Sequence, residues 1–492
     1  MNTYREDKIN WIMLLVGAAA FAFSSGRWNL FVTAWIWPFA FLYFSRQAKS
    51  KGDLLLLAFV IESVQIIKWF NILATGSIID FLFCFFWSLY WILPFIADKL
   101  LAEKFNGSFM RSLVFPSVFT AIEIVKSFTT TGTFASMAYT QGAFRILTQI
   151  VSVTGSYGLS FLIFWFASVI VGITEKKGGW KPLTCAYAVI MAGILCFGGM
   201  RLTAPAITDK TVKVASIINQ FHGSLDTKGY TDLTYEETEY YFVSEAKRAA
   251  EGKADIACWG EEAWDIKDKD EPRLIETARK LASENNMILV IGYETADTDE
   301  SEHGLSVDKL AIVLPDGTVT EYIKTHLVPI VETSEYVTGP GIIPTVVTDK
   351  GIISSIICFD DCYPGFVRGA GAITNKNFKD TEILIVPSWD WSAVKKAHAD
   401  LNGFRAIENG ESVVKITYDG ISTATDHLGH VIKQFDSKHT GFDTVQFADV
   451  PVKCVHTVYS RFGTFIDVFW FLLGVFSVIT GIVNHINKYA EY

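Results

Sequence analysis

Two kinds of pattern alternate along this chain. Apolar runs near 10–24, 28–45, 53–72, 79–97, 108–127, 157–175 and 182–203 are each close to the ~20 residues that cross a bilayer as a helix. An eighth run, 463–484, lies near the other end. Between them, residues 211–460 follow the shorter periods of a water-soluble fold. There the pattern predicts strands at 212–218, 254–259, 287–293, 309–314, 318–323, 352–357, 382–387, 412–417, 420–425 and 430–435. Helical spacing covers 232–250, 271–286, 364–374 and 398–409. Asp316-Gly317 between two short apolar runs is a hairpin signal. Strands first alternate with helices and then pair through hairpins, which predicts a layered sandwich with helices outside the sheets. The segment 128–150 is too polar to span and too apolar for an ordinary loop. An interfacial stretch, a dip into the bundle and a packed loop all fit it.

Charge sharpens this division. Residues 211–460 hold 23 Lys and Arg against 40 Asp and Glu, a net of −17, while the remainder sums to +7. Short loops after the second, fourth and sixth runs carry Arg46, Lys49, Lys51, Lys99, Lys104, Lys176, Lys177 and Lys181, and Arg5 and Lys8 precede the first. Basic loops stay cytoplasmic. The expectation is a membrane domain at 1–205 with about seven helices, an extracytoplasmic domain at 211–455 and a closing span at 463–484. The first run is read as a retained helix, because six more follow without a clear cleavage site. With 50% hydrophobic and 19% charged residues the chain is neither a disordered polymer nor an ordinary soluble enzyme. A net charge of −10 argues against a nucleic-acid partner. Seven scattered cysteines make no disulfide framework.

Three places in the soluble block combine a strand end with reactive side chains. Glu261, in Trp259-Gly260-Glu261-Glu262, follows a buried strand, where open α/β sheets place functional groups. A solvated acidic turn would look the same. Lys324 ends another strand, with Glu332 eight residues on, suiting either an oxyanion-stabilising ammonium or a surface Lys–Glu pair. Cys358, in Ile357-Cys358-Phe359-Asp360-Asp361-Cys362, leaves a third strand. It reads as a nucleophile, an inert buried thiol or half of a Cys358–Cys362 disulfide. Glu123 and Lys126 lie three apart within the fifth run, spaced to share a helix face, either at a lipid access route or as a structural pair. Glu62, Gln65 and Lys68 in the third run pose the same question. His427 and His430 form an HxxH without a third ligand and are read as hairpin residues.

Taken in order, Glu261, Lys324 and Cys358, the string Ile323-Lys324-Thr325-His326-Leu327-Val328-Pro329, ICFDD and FRAIENG resemble the nitrilase, or carbon–nitrogen hydrolase, superfamily. That resemblance implies an αββα sandwich and a Glu–Lys–Cys triad, with Glu261 as general base, Lys324 at the oxyanion and Cys358 as nucleophile. Glu332 matches a second, positioning glutamate, and Phe359 and Asp360 flank the nucleophile. With the membrane runs, AIEIVKSF (121–128), residues 139–163 and residues 398–422 are similar to the bacterial apolipoprotein N-acyltransferase family. This implies an enzyme of the cytoplasmic membrane. No Gly-rich phosphate loop, haem site or metal cluster is apparent, so the expectation is no cofactor or metal, and nothing in the sequence demands more than a monomer. The enzyme would pass an acyl chain from a phospholipid to the amino group of a diacylglyceryl-cysteine on an apolipoprotein. A membrane-bound amidase or hydrolase with the same triad is the alternative. The chain departs from that family at Cys358-Phe359-Asp360 (usually Cys-Tyr-Glu), Trp259-Gly260-Glu261 (usually Trp-Pro-Glu) and Ser388-Trp389-Asp390-Trp391 (usually Ser-Asn-Asp-x-Trp-Phe). The family's Phe-Pro-Trp loop is missing, with Phe134-Ala135-Ser136 standing nearby.

Overall fold

The computed structural model describes residues 2–176, 179–204, 210–218, 234–296, 305–370, 381–437 and 444–490. Residues cluster into two compact units. The first comprises 1–129, 133–204 and 461–492, and the second comprises 130–132 and 205–460.

Every apolar run of the first unit falls on helix: Asn2–Ala22, Thr33–Gln47, Lys51–Trp69, Ile78–Ser88 continuing through Leu93–Leu101, Ser108–Ser127, Val151–Glu175, Trp180–Thr203 and Val458–Ala490. Among the described residues, five helices are long and apolar enough to cross a membrane: Ile78–Lys104, Ser108–Ser127, Val151–Glu175, Trp180–Thr203 and Val458–Asn487. Lys51–Trp69 is nearly as long but carries Asp53, Glu62 and Lys68. Local chemistry explains the breaks. Pro94 opens the second half of the fourth run, where its missing N–H costs nothing. Gly155 takes a left-handed φ of 65° that kinks the helix around it. Leu55, Phe59, Phe86 and Phe465 are exposed, the surface a helix offers to lipid. Inside, Trp37, Phe41, Phe95, Phe115, Phe119 and Phe164 form one aromatic core.

Segment 128–150 resolves as a packed loop: Met137–Gln141 is a buried 3-10 turn. Gln141 donates to the Phe31 carbonyl at 3.0 Å and accepts from the Trp35 indole at 3.0 Å.

The second unit is built on two mixed sheets. The first has the order β13-β1-β2-β4-β5-β6, with β3 paired to β4. Its strands are β1 Thr211–Ile218, β2 Ile256–Trp259, β3 Trp264–Lys267, β4 Ile288–Ala296, β5 Val307–Val313, β6 Val319–Ile323 and β13 Thr444–Pro451. The second sheet has the order β12-β11-β10-β9-β8-β7. It uses β7 Thr345–Thr348, β8 Gly351–Ser355, β9 Ile383–Trp389, β10 Ser412–Tyr418, β11 Ile421–Thr425 and β12 Val431–Asp436. β1, β2 and β4 are parallel, as are β8, β9 and β10, and antiparallel strands flank each set.

The period of two then builds the layers. Along β1, Ala215 and Ile217 join the cluster under helices Tyr235–Glu251 and Glu271–Asn285. Val214 and Ile218 point the other way, into a cluster shared with Ile353, Ile383, Ile385, Val414 and Ile416 of the second sheet. The outer face of that sheet packs Leu384, Val386 and Val413 against Ala406 of helix Lys395–Asn409. The result is the αββα sandwich expected from the sequence.

Three strands escaped the sequence pattern: β3, β7 and β13. The first two have only four residues each, and β13 pairs with β1 from more than two hundred residues away, a contact without a local signature. The helix expected at 364–374 is one short turn, Pro364–Val367, and 371–374 lie outside the described residues. The start of the helix expected at 232–250 also lies outside them; the described helix begins at Tyr235.

Candidate functional site

Glu261, Lys324 and Cys358 all leave the carboxyl ends of strands in the second unit. Glu261 follows β2, whose last residue, Trp259, is fully buried. Gly292 of β4 lets that turn pass, since a Cβ there would lie 2.1 Å from the Gly260 carbonyl oxygen. Glu262 completes the turn with a φ of 48°, unusual for a residue with a side chain. Both Glu261 oxygens accept hydrogen bonds: Oε1 from Lys324 Nζ at 2.5 Å, and Oε2 from the Trp389 N–H at 2.6 Å. Both oxygens of this carboxyl group are thus occupied as acceptors.

Lys324 leaves β6 and is fully buried. Its Nζ also lies 2.7 Å from Glu332 Oε2 and 3.6 Å from Asp308 Oδ2. Burial alone would lower its pKa, but Glu261 and Glu332 outweigh that and hold it well above the ordinary lysine value. Burial pushes Glu332, Asp308 and Glu262 upward. Glu332 also accepts from the Val328 N–H at 2.9 Å, tying the following loop to the lysine.

Cys358 begins a 3-10 turn, Cys358–Cys362, with a φ of 45°. A left-handed backbone at a residue carrying a side chain costs about 1–3 kcal/mol and persists where surroundings enforce it. Its Sγ lies 3.8 Å from the Trp389 carbonyl oxygen. Trp389 therefore contacts the thiol with its C=O and Glu261 with its N–H. Burial and the Glu261 charge hold the thiol well above the ordinary cysteine pKa, so it rests protonated and requires a base. Neither Cys358 nor Cys362 is in a disulfide, so that alternative is not adopted.

The flanking residues divide. Phe359 is buried, with its ring 6.1 Å from that of Tyr363. Asp360 is fully buried and braces the turn. Its carboxyl accepts from Tyr322 Oη at 2.6 Å, the Ile357 N–H at 3.1 Å and the His326 N–H at 2.8 Å, with His326 Nδ1 also at 2.8 Å.

Glu123 and Lys126, in the first unit, are both buried against the 133–137 segment. Glu123 Oε1 accepts from the Met137 N–H at 3.0 Å and Ser136 Oγ at 3.2 Å, and Lys126 donates to the Phe134 carbonyl. Of the third-run residues, Glu62 accepts from Ser88 Oγ at 2.6 Å and Lys68 lies 4.0 Å from the Phe21 ring centre. His427 and His430 sit in the β11–β12 turn, where Asp426 accepts from the Leu428 and His430 N–H groups, each at 2.9 Å.

Sequence reasoning missed a second buried cluster beside the thiol. His398 Nδ1 lies 2.6 Å from Asp390 and its Nε2 lies 2.8 Å from Asp361, while Lys415 Nζ stands 3.7–3.8 Å from both acids. The available signal was Lys415 in the middle of the apolar strand SVVKITY. Two metal-type groupings share this cluster, Cys358-Asp390-His398 and Asp361-Cys362-His398, and Glu261-Glu262-Asp308 is a third. Their chemistry does not suit a cation: carboxylates occupy both imidazole nitrogens, and a lysine already stands beside each acid group.

Residues 15–169 match the family model of the apolipoprotein N-acyltransferase N-terminal domain, and residues 226–457 match that of the carbon–nitrogen hydrolases. An apolipoprotein N-acyltransferase of Geobacter metallireducens is 27% identical over 354 residues, covering 64% of each chain. One of Rickettsia prowazekii is 23% identical over 431 residues, covering 81% of this chain and 83% of its own. Among solved structures, an amidase from Nesterenkonia sp. AN1 aligns with a TM-score of 0.40 and 17% identity, covering 49% of this chain and 93% of its own.

Proposed function

Because the chain joins the two domains of the apolipoprotein N-acyltransferases and belongs to that family, we propose that it transfers an acyl chain from a membrane phospholipid to the N-terminal amino group of a diacylglyceryl-cysteine on an apolipoprotein. The observation that carries the mechanism is the double contact of Trp389, which fixes Glu261 and Cys358 to one peptide unit.

Glu261 accepts the Cys358 proton as sulfur attacks the ester carbonyl. The tetrahedral oxyanion forms beside the Lys324 ammonium, a preorganised donor worth on the order of 3 kcal/mol. Collapse breaks the C–O bond, Glu261 returns the proton to the departing lysophospholipid, and a thioester remains on Cys358. The acceptor amine then attacks. Its nitrogen loses a proton to Glu261, the C–S bond breaks, and that proton restores the thiol. Glu332 and Asp308 flank Lys324 and keep it charged. No step requires a cofactor or metal.

The chain is a membrane protein. In this reading about seven spans in 1–205 and one at 463–484 anchor a catalytic domain, 211–455, on the extracytoplasmic side of a bacterial cytoplasmic membrane, as the basic loops require. It acts as a monomer.

The test uses full-length protein in detergent with a phospholipid labelled on its acyl chain. Intact mass spectrometry should find an acyl adduct on the wild type and none on Cys358→Ala. A diacylglyceryl-cysteine peptide should discharge it as an N-acyl product. Discharge by water alone would make the protein a hydrolase, and absence of any adduct would remove the phospholipid donor.

A further inference from the structure

His398 stands between two segments that the proposed chemistry needs but that it does not itself belong to. It projects from helix Lys395–Asn409 and is buried. One ring nitrogen holds Asp361, three residues after Cys358 in the same 3-10 turn. The other holds Asp390, next to Trp389, at the end of β9. Trp389 in turn donates to Glu261 and accepts from Cys358.

Resting on the Glu261–Lys324–Cys358 reading, we propose that His398 is a positioning residue: it clamps the nucleophile's turn to the strand end that orients the base. The path runs Cys358–Asp361–His398–Asp390–Trp389, where the Trp389 carbonyl closes it back on Cys358 and the Trp389 N–H extends it to Glu261. Lys415, from β10, faces both carboxyl groups and closes the cluster from below. The strained backbone at Cys358 needs such external support, and Asp360 supplies it only toward Tyr322, His326 and Ile357. Burial works against a protonated imidazole, yet Asp361 and Asp390 hold His398 well above the ordinary histidine value. Doubly protonated, the ring donates from both nitrogens, as a clamp between two acceptors must. The groups facing it are Asp361, Asp390, Lys415 and Cys362, with Cys358 beside them. Those facing the thiol are Glu261, Lys324, Asp390 and Lys415.

The experiment compares wild type, His398→Gln, Asp361→Asn and Asp361→Leu in the full chain. It follows single-turnover acylation of Cys358 by labelled phospholipid and alkylation of the same thiol by iodoacetamide across pH. His398→Gln cannot bridge both acceptors, so acylation should slow about 100-fold with half-saturation by lipid unchanged, as misplacement near 1 Å does. Asp361→Asn keeps an acceptor and should stay within about threefold of wild type, whereas Asp361→Leu should fall with His398→Gln. The alkylation profile should move in both failing variants and stay fixed in Asp361→Asn. Wild-type rates in both His398→Gln and Asp361→Leu would overturn the clamp while leaving the triad standing. Equal labelling of Cys358→Ala and wild type would instead overturn the triad reading beneath it. If His398→Gln loses its melting transition, the Asp361 pair still decides, because an equal loss in Asn and Leu would also overturn the clamp.

Discussion

Trp389 donates its backbone N–H to Glu261 Oε2 at 2.6 Å, although 128 positions separate them. The bond joins the first sheet to the second and orients the base without any side chain of Trp389 taking part. Since a backbone amide supplies it, no substitution at 389 except proline removes it, and the carboxyl group is the partner to vary.

Glu261→Gln keeps the shape and loses the base. Acyl transfer should fall by about 10²–10⁴-fold, the usual worth of a positioned proton acceptor. The thiol should respond in the opposite sense. The Glu261 charge helps hold Cys358 above its ordinary pKa, so its removal should move the pH profile of iodoacetamide alkylation to lower pH. Loss of transfer together with a profile shifted upward would contradict the assignment.

Lys324→Met removes the cation shared by Glu261, Glu332 and Asp308. Breaking a buried ion pair costs about 3–5 kcal/mol. Chemical denaturation of the full chain in detergent reads the loss. Lys324→Arg should recover part of the stability and little activity, since a planar fork cannot replace a point charge among three acids.

Asp360→Ala strips the acceptor from Tyr322, the Ile357 N–H and the His326 N–H at once. Each buried donor left unpaired costs about 1–3 kcal/mol, although Tyr322 Oη keeps Thr325 Oγ1 as an acceptor at 2.9 Å. The variant should melt well below wild type, and kcat should fall more than KM rises. Asp360→Asn, which still accepts at one oxygen, should lie between them. An unchanged melting temperature in the alanine variant would show that the turn does not depend on this brace.

Stability should vary with pH through the second cluster. The folded-state pKa of His398 is raised, so its contribution is complete below the unfolded value of ~6.5 and disappears as pH climbs through the raised folded value. Asp390 has the opposite sign: burial opposes ionisation, but Lys415 and His398 prevail and lower its pKa. Its contribution is present above ~3.9 and is lost as pH falls through the lower folded value. The unfolding midpoint measured against pH should therefore decline on the alkaline side in wild type. His398→Gln should flatten that alkaline decline; an identical slope would remove His398 as its source.

Much of this protein is written locally. Apolar runs of about 20 residues become helices wherever they sit, because backbone hydrogen bonds satisfied within a segment need no partner. The alternation in VKVASII sends Ala215 and Ile217 to one face and Val214 and Ile218 to the other whatever strands lie beside them. Glu261, Lys324 and Cys358 were legible because each follows a predicted strand, and strand ends are where a sheet exposes side chains for chemistry. What the sequence could not fix was which distant groups share a boundary. β13 finds β1, Asp308 joins Lys324, and His398 meets Asp361 and Asp390 only once two sheets and a helix have packed. The same packing decides ionisation. A Lys–Glu pair eight residues apart reads as a surface contact, and only the complete burial of Lys324 among three acids makes it a fixed charge beside the thiol.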